Sequence, residues 1–276
     1  MLTDLSNDRV IHIKTGKVQY LQFRKLLEYK DKINHAYSLG TNVNFRTAIN
    51  GKPEVSSKQY KLAKKSYKQI CKAIGSKYRN IVKPRQCHTN NILAVKNKTN
   101  IFSPDFNLEK YKKTDGLVTN KKNILLATTN ADCILFLLYD PVKNVIANVH
   151  SGWKGTTLEI TKKCLSELIE KDLIHPKSCH VYFSPSIQFD SLEVGMEVVE
   201  QMQQISIDTT PFIRYMPNEK AYIDNQGINI EMCKELGVPA QNIHPSVYDT
   251  KKELDTCFSY RNDKQTGEHF TFGYIK

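Results

Sequence analysis

Apolar positions along this chain follow two rhythms, one of short runs closed by turn residues and one of helical spacing. The runs Ile134 to Tyr139 and Val145 to Val149 flank Asp140-Pro141-Val142-Lys143, which is strand–turn–strand chemistry. If Tyr139 pairs with Asn144, Cys133 lies directly opposite His150, on one face, with Cβ atoms about 4.5–5.5 Å apart. Gly116 to Thr119 and Ile124 to Thr129 read as a second hairpin across Asn120-Lys121-Lys122-Asn123, leading into Asp132-Cys133. Val181 to Phe183 predicts a short strand before Ser184-Pro185.

Helical spacing predicts a helix from Val55 to Gly75, with Tyr60, Ala63, Tyr67, Ile70, Cys71 and Ile74 on one side. Ser56 or Ser57 stands near its start, and Gly75 is its stop. A second helix spans Leu158 to Ile169, with Thr157 placed to cap it, and a third runs from Leu192 to Met202. Asp224 caps a fourth, which continues through Met232 and Leu236 and stops at Gly237. Hairpins mixed with helices predict mixed sheets rather than a doubly wound parallel one.

Composition narrows the class. A chain of 276 residues can bury a large core as one large domain or two small ones. Its seven cysteines are an odd number with no CxxC spacing, so a reducing, cytoplasmic compartment is expected. Residues 1–20 contain Asp4, Asp8 and Arg9 and lack a signal-type apolar core, and the longest apolar run is too short to span a bilayer. The formal charge of +12 would suit a polyanion. The lysines read as spread along the chain, with small clusters such as Lys61 to Lys68 that look like solvated helix faces, so neither nucleic acid nor membrane is the expected partner. A phosphate-bearing substrate would benefit from the same field.

Cys133 and His150 together admit two chemistries. They can share a metal, or Cys133 can serve as a nucleophile with His150 as its base; the bland reading is a small buried thiol beside a satisfied histidine. After His150, the stretch Ser151-Gly152-Trp153-Lys154-Gly155-Thr156-Thr157 reads as a Gly-rich turn feeding a helix N-terminus, an anion site to which Lys154 adds charge.

Seven landmarks in order carry a family resemblance: Gln86-Cys-His88, Thr114-Asp-Gly-Leu-Val-Thr119, Ala131-Asp-Cys133 with Tyr139-Asp-Pro141, Val149-His-Ser-Gly-Trp-Lys-Gly-Thr156, Ser184-Pro-Ser-Ile187, Leu192-Glu-Val-Gly195 and Phe258-Ser-Tyr-Arg261. From about residue 80 to the C-terminus the chain resembles the YfiH-type family, once labelled laccase-domain polyphenol oxidases and now described as purine nucleoside phosphorylases. His35-Ala-Tyr-Ser38 resembles its N-terminal landmark. The resemblance implies an α+β fold of four layers, α/β/β/α, with mixed sheets, shared with a deamidating bacterial toxin and formed by residues 1–276 as one domain.

It further implies that His88, Cys133 and His150 bind zinc in a cleft. Three protein ligands leave a fourth position open, as catalytic zinc sites do, and Asp115 or Asp132 would orient a ligand imidazole. The chain departs from the pattern at four places: Lys154 stands for the usual Arg, Asn262 for a second basic residue, Gln188-Phe189-Asp190 for cysteines in many members, and Ser38-Leu39 for a Thr-Arg pair. The implied activity is phosphorolysis of adenosine, inosine or methylthioadenosine, with adenosine deamination alongside. Lys154, Gly155 and Arg261 are the candidate phosphate or ribose contacts, since Arg offers a bidentate fork to oxyanions. Trp153 either stacks on a purine or packs in the core. Eight histidines without a single His-x-His argue against multicopper chemistry, though one copper could occupy the triad. A cysteine hydrolase (a deamidase, or an editor of cell-wall precursors) and a non-enzymatic binding module are the alternatives. The expected assembly is a monomer or homodimer.

Overall fold

The computed structural model describes residues 4–47, 57–98, 101–102 and 108–276. Its first strands are β1 (Val10–Thr15), β2 (Val18–Phe23), β3 (Ile33–Leu39), β4 (Ile81–Val82) and β5 (Ile92–Ala94). They are followed by β6 (Gly116–Thr119), β7 (Leu125–Asn130), β8 (Ile134–Asp140), β9 (Val145–Ser151) and β10 (His180–Phe183). The last are β11 (Glu193–Gly195), β12 (Ile213–Met216), β13 (Lys220–Ile223), β14 (Ile243–His244) and β15 (His269–Ile275). The helices are α1 (Lys58–Ala73), α2 (Trp153–Thr157), α3 (Ile160–Glu170), α4 (Met196–Met202) and α5 (Asn225–Glu235).

Two six-stranded sheets, ordered β1-β2-β3-β15-β7-β4 and β14-β10-β8-β9-β6-β5, stack face to face. Both are mixed: β4 joins β7, β5 joins β6 and β14 joins β10 in parallel, while the remaining pairings are antiparallel. In β8, Leu135, Leu137 and Tyr139 face the other sheet, whereas Ile134, Phe136 and Leu138 face α3 and α5. In β15, Phe270, Phe272 and Tyr274 face α1. Covering both faces explains why these strands are apolar throughout. The result is the four layers expected, helix on sheet on sheet on helix, plus a small sheet β11-β13-β12 with its own core around Val199 and Met202. Gly273 lets the two sheets approach closely: a Cβ there would stand 2.5 Å from Ile146 Cδ1. No helix among the described residues is long and apolar enough to cross a membrane.

Two of the three caps read from sequence are present; Thr157 is no cap, since it ends α2 with its hydroxyl donating to Lys154 O, and α3 starts after Glu159 with no side-chain cap. Ser57 accepts from the Tyr60 amide at the start of α1, Asp224 accepts from Gly227 at the start of α5, and Gly75 and Gly237 take positive φ after their helices. The six apolar residues assigned to one side of α1 are all buried. The expected start at Val55 falls outside the described residues, and the helix begins at Lys58.

Four further expectations are corrected. Gly116 to Thr119 and Ile124 to Thr129 are no hairpin: β6 pairs β9 and β5, whereas β7 lies in the other sheet beside β15 and β4. Asn123, at φ 59°, donates its amide to Ile275 O and turns the chain across, and two strands each covered on both faces carry no pattern that tells which sheet they join. Residues 192–202 are not one helix, because β11 pairs with β13 before α4 begins at Met196. The helix predicted from Leu158 to Ile169 is split into α2 and α3 by Glu159, which adopts φ 52°.

The fourth correction concerns register. Tyr139 pairs with Ile146, not Asn144, so His150 lies opposite Leu135. The loop keeps four residues but sits one place further along, at residues 141–144, because Asp140 pairs with Val145: Asp140 Oδ1 accepts from the Val142 and Lys143 amides, and Asn144 closes the loop at φ 53° with its side chain on the Tyr139 hydroxyl. The slip is two residues, so every side chain stays on its predicted face.

Candidate metal centre

Cys133 immediately precedes β8 and His150 lies near the end of β9, so both sit at one end of the space between the sheets. His88 arrives from the segment joining β4 to β5 and adopts φ 59°. One ligand-type atom from each of His88, Cys133 and His150 lies within 4.8 Å of the others, the single such group found among the described residues. Cys133 Sγ is 3.8 Å from His88 Nε2. His150 is buried, Cys133 intermediate and His88 exposed, so the cluster opens to solvent on the His88 side.

Asp115 organises two of the three. Its carboxylate is fully buried, accepts from the Cys87, His88 and Thr89 amides and from the Thr89 hydroxyl, and lies 2.9 Å from His150 Nδ1. Holding Nδ1–H there makes Nε2 of His150 the nitrogen that a metal would take in place of a proton. The backbone amide of His150 also donates to Asp115 O. Burial by itself would raise the Asp115 pKa, but the His150 contact and the Thr89 donors hold it at about 2.

The thiol and imidazole pull on one another. Burial opposes a charged sulfur, yet His150 and His88 beside it bring the Cys133 pKa down to about 6. Burial likewise opposes an imidazolium, yet Asp115 and Cys133 carry His150 up to about 10. The sulfur is therefore predisposed to be the thiolate that either metal ligation or nucleophilic attack requires.

Gly152 is the residue whose role the sequence does not disclose. A Cβ at this position would lie 2.7 Å from His88 Cδ2 and 2.9 Å from Cys133 Sγ, so only glycine lets three segments converge here. Its φ of −72° is ordinary, which makes the constraint one of space and not of backbone conformation. Gly152→Ala should fold normally but push His88 and Cys133 apart, lowering any metal affinity of the cluster roughly ten- to a hundred-fold, as displaced supports of metal ligands do; titration with a competing chelator measures it, and wild-type affinity would show that the cluster is looser than its geometry indicates. Asn130, also unassigned from sequence, donates to Cys133 O and Pro185 O and accepts from the Tyr37 hydroxyl. Its buried position at the end of β7 is the signal, visible only once the two sheets are stacked.

The remaining candidates are placed differently from one another. Asp132, at φ 91°, contacts neither imidazole: it accepts from Thr250 and Ser259 hydroxyls and the Arg261 amide, and so ties the C-terminal loop next to Cys133. The Arg261 guanidinium donates to Glu193 O. Lys154 Nζ lies 5.3 Å from the Trp153 ring, and Trp153 packs against the small-sheet core. Gly155 is buried inside α2, held by the Ser151–Thr156–Asn229 hydroxyl and amide network. Since α2 has five residues and is broken from α3, the strong helix dipole expected behind the glycine turn is not available there. Among the other histidines, His35 is buried and accepts from the Phe23 amide, a structural role.

Residues 43–276 match the family model described as multi-copper polyphenol oxidoreductase laccase. The chain belongs to that family. It is 30% identical over 205 residues to the purine nucleoside phosphorylase YlmD of Staphylococcus aureus, covering 74% of this chain and 76% of that protein. A purine nucleoside phosphorylase of Staphylococcus epidermidis is 30% identical over 190 residues, 68% of this chain and 70% of the relative. In fold it is similar to Bacillus licheniformis YfiH (TM-score 0.84, 20% identity, 96% and 99% of the two chains) and to Geobacillus stearothermophilus YlmD (0.82, 18%, 97% and 99%).

Proposed function

We propose that the protein is a zinc-dependent purine nucleoside phosphorylase acting on adenosine, inosine and methylthioadenosine, with adenosine deamination as a side reaction. The observation that carries this reading is the His88–Cys133–His150 cluster with Asp115 fixing the His150 tautomer, in a chain whose relatives bear that name. One thiolate and two imidazoles fit zinc in number and type, and leave a position open. When bound, zinc supplies a Lewis acid beside the reacting nucleoside. His88, Cys133 and His150 would hold it; Asp115 keeps the His150 Nδ1 proton in place, so that Nε2 is the nitrogen that would exchange its proton for the metal, and fixes the loop bearing His88. Lys154 and Arg261 are the cations assigned to the phosphate, Arg261 positioned by Asp132 and Glu193, with Gly155 giving the backbone approach. Copper could occupy the same donors, but one cluster of three among the described residues falls short of the several sites a multicopper oxidase requires. The seven free cysteines agree with a cytoplasmic setting.

A second reading, a cysteine hydrolase, is favoured by one observation: the lowered Cys133 pKa beside His150. Incubation with adenosine, with and without phosphate, separates the two. Phosphorolysis yields adenine and ribose 1-phosphate only when phosphate is present, and Lys154→Ala and Arg261→Ala should each raise the phosphate requirement roughly ten- to a hundred-fold while zinc content is unchanged. Base release indifferent to phosphate would indicate hydrolysis, and no turnover of any purine nucleoside would sink the proposal.

A further inference from the structure

The charge of the chain is far from evenly placed. Residues 55–104 contain twelve of the 40 Lys and Arg and none of the 28 Asp and Glu, so the other 28 basic residues balance the acidic ones and the whole +12 excess belongs to this segment. In the fold its centre is α1, which carries six lysines and no acidic residue. Lys58, Lys61, Lys65, Lys68 and Lys72 recur at spacings of three and four, which aligns them in one row about 21 Å long on a single helix face. All five are exposed, and none forms an ion pair among the described residues. Lys77 and Arg79 extend the row past the helix end, beside the half-buried Tyr78, whose ring lies 5.1 Å from Lys68 Nζ and 5.9 Å from the Arg79 guanidinium.

This arrangement is unfavourable for an isolated helix. Like charges three and four apart repel, and Lys58 stands at the positive end of the helix dipole with no acidic residue in the first turn to offset it. A bound polyanion relieves both. We infer that the outer face of α1 is a nucleic-acid backbone site, a row of cations matched to consecutive phosphates with aromatic surface at one end. The site departs from the expectation of merely solvated lysines, because the helix gathers them on one line. A lipid surface fits less well: the apolar side of α1 is spent in the core against β15, leaving Leu62 as the exposed large apolar side chain on the helix, so nothing can insert. The face lies on the outer side of the first sheet, with that sheet between it and the layer that ends in the metal cluster.

The test is fluorescence anisotropy of the full chain with labelled single-stranded RNA and duplex DNA of about twenty nucleotides, and sedimentation with phosphatidylserine vesicles. Five phosphate contacts predict a salt slope of roughly −3.5 for the single strand, a loss of about a hundred-fold between about 50 and 200 mM salt. Changing Lys58, Lys61, Lys65, Lys68 and Lys72 together to Gln should abolish most of the binding and flatten the slope, without lowering the melting temperature, since repulsion is removed. A control with the same loss of charge elsewhere, Lys17, Lys25, Lys112, Lys171 and Lys234 to Gln, should retain most of the affinity. The two nucleic-acid probes distinguish the form bound. Equal losses in both variants, vesicle binding that exceeds nucleic-acid binding, or no binding at low salt would each overturn the inference.

Discussion

Cys133→Ala should leave the protein folded but take bound zinc from about one per chain to nearly none, with phosphorolysis falling in parallel by roughly a hundred-fold or more, since even supports of metal ligands cost ten- to a hundred-fold. In the proposed site the sulfur is the ligand that the surroundings favour in its charged form: His150 and His88 bring its pKa to about 6, so the thiolate is present at neutral pH without the metal. It also stands at the point where two strands and the His88 segment meet. Elemental analysis of purified variant and wild type reads the first quantity, and adenine release reads the second. The hydrolase alternative predicts a different pattern. There, activity would vanish with the thiol while metal content bore no relation to it, and an alkylating reagent would titrate activity stoichiometrically in metal-free protein. Active protein without metal would therefore defeat the zinc reading.

Replacing Asp115 with alanine is expected to have the second-largest effect, because one carboxylate serves the fold and the cluster together. Its loss strips the Cys87, His88 and Thr89 amides of their acceptor and frees the His150 ring. A broken buried network of this kind costs about 3–5 kcal/mol, and each unpaired amide about 1–3 kcal/mol before water repairs it. Urea unfolding in the presence of a chelator isolates the stability term. Chelator competition in buffer should then show zinc affinity lowered by roughly ten- to a hundred-fold. Asp115→Asn keeps the size but exchanges an acceptor oxygen for a donor, so it should restore part of the stability and little of the affinity. Equal affinity in wild type and Asp115→Ala would mean that the loop bearing His88 is held by other contacts, chiefly the pairing of Gln86 with Thr129.

Local physics was readable wherever one residue decides one geometry. The Ser57 and Asp224 caps, the glycine stops at Gly75 and Gly237 and the buried side of α1 follow from short-range hydrogen bonding and the 3.6-residue period. Strand periodicity also protected the central inference against an error. The hairpin register was displaced by two residues, yet Cys133 and His150 remain on one face, because a two-residue slip preserves parity and a one-residue slip would have reversed it. The family landmarks added His88 to that pair, which spacing alone does not do.

What the tertiary structure decided is which segments meet. Strands apolar on both faces are interchangeable to a sequence pattern, so the assignment of β6 and β7 to different sheets rests on packing between layers. Glu159 adopts its left-handed conformation inside a stretch of good helical spacing, because α2 and α3 must lie on different surfaces. Asp115 and Asp132 flank the cluster equally in sequence, and only the fold turns one to His150 and the other to Ser259 and Arg261. Gly152 shows the same division: in sequence it is a turn residue, whereas in the fold it is the gap through which three distant segments approach within van der Waals distance. Residue type and period determined the elements, their faces and the donor atoms available; close approach between segments far apart in the chain, which no local pattern encodes, determined the site.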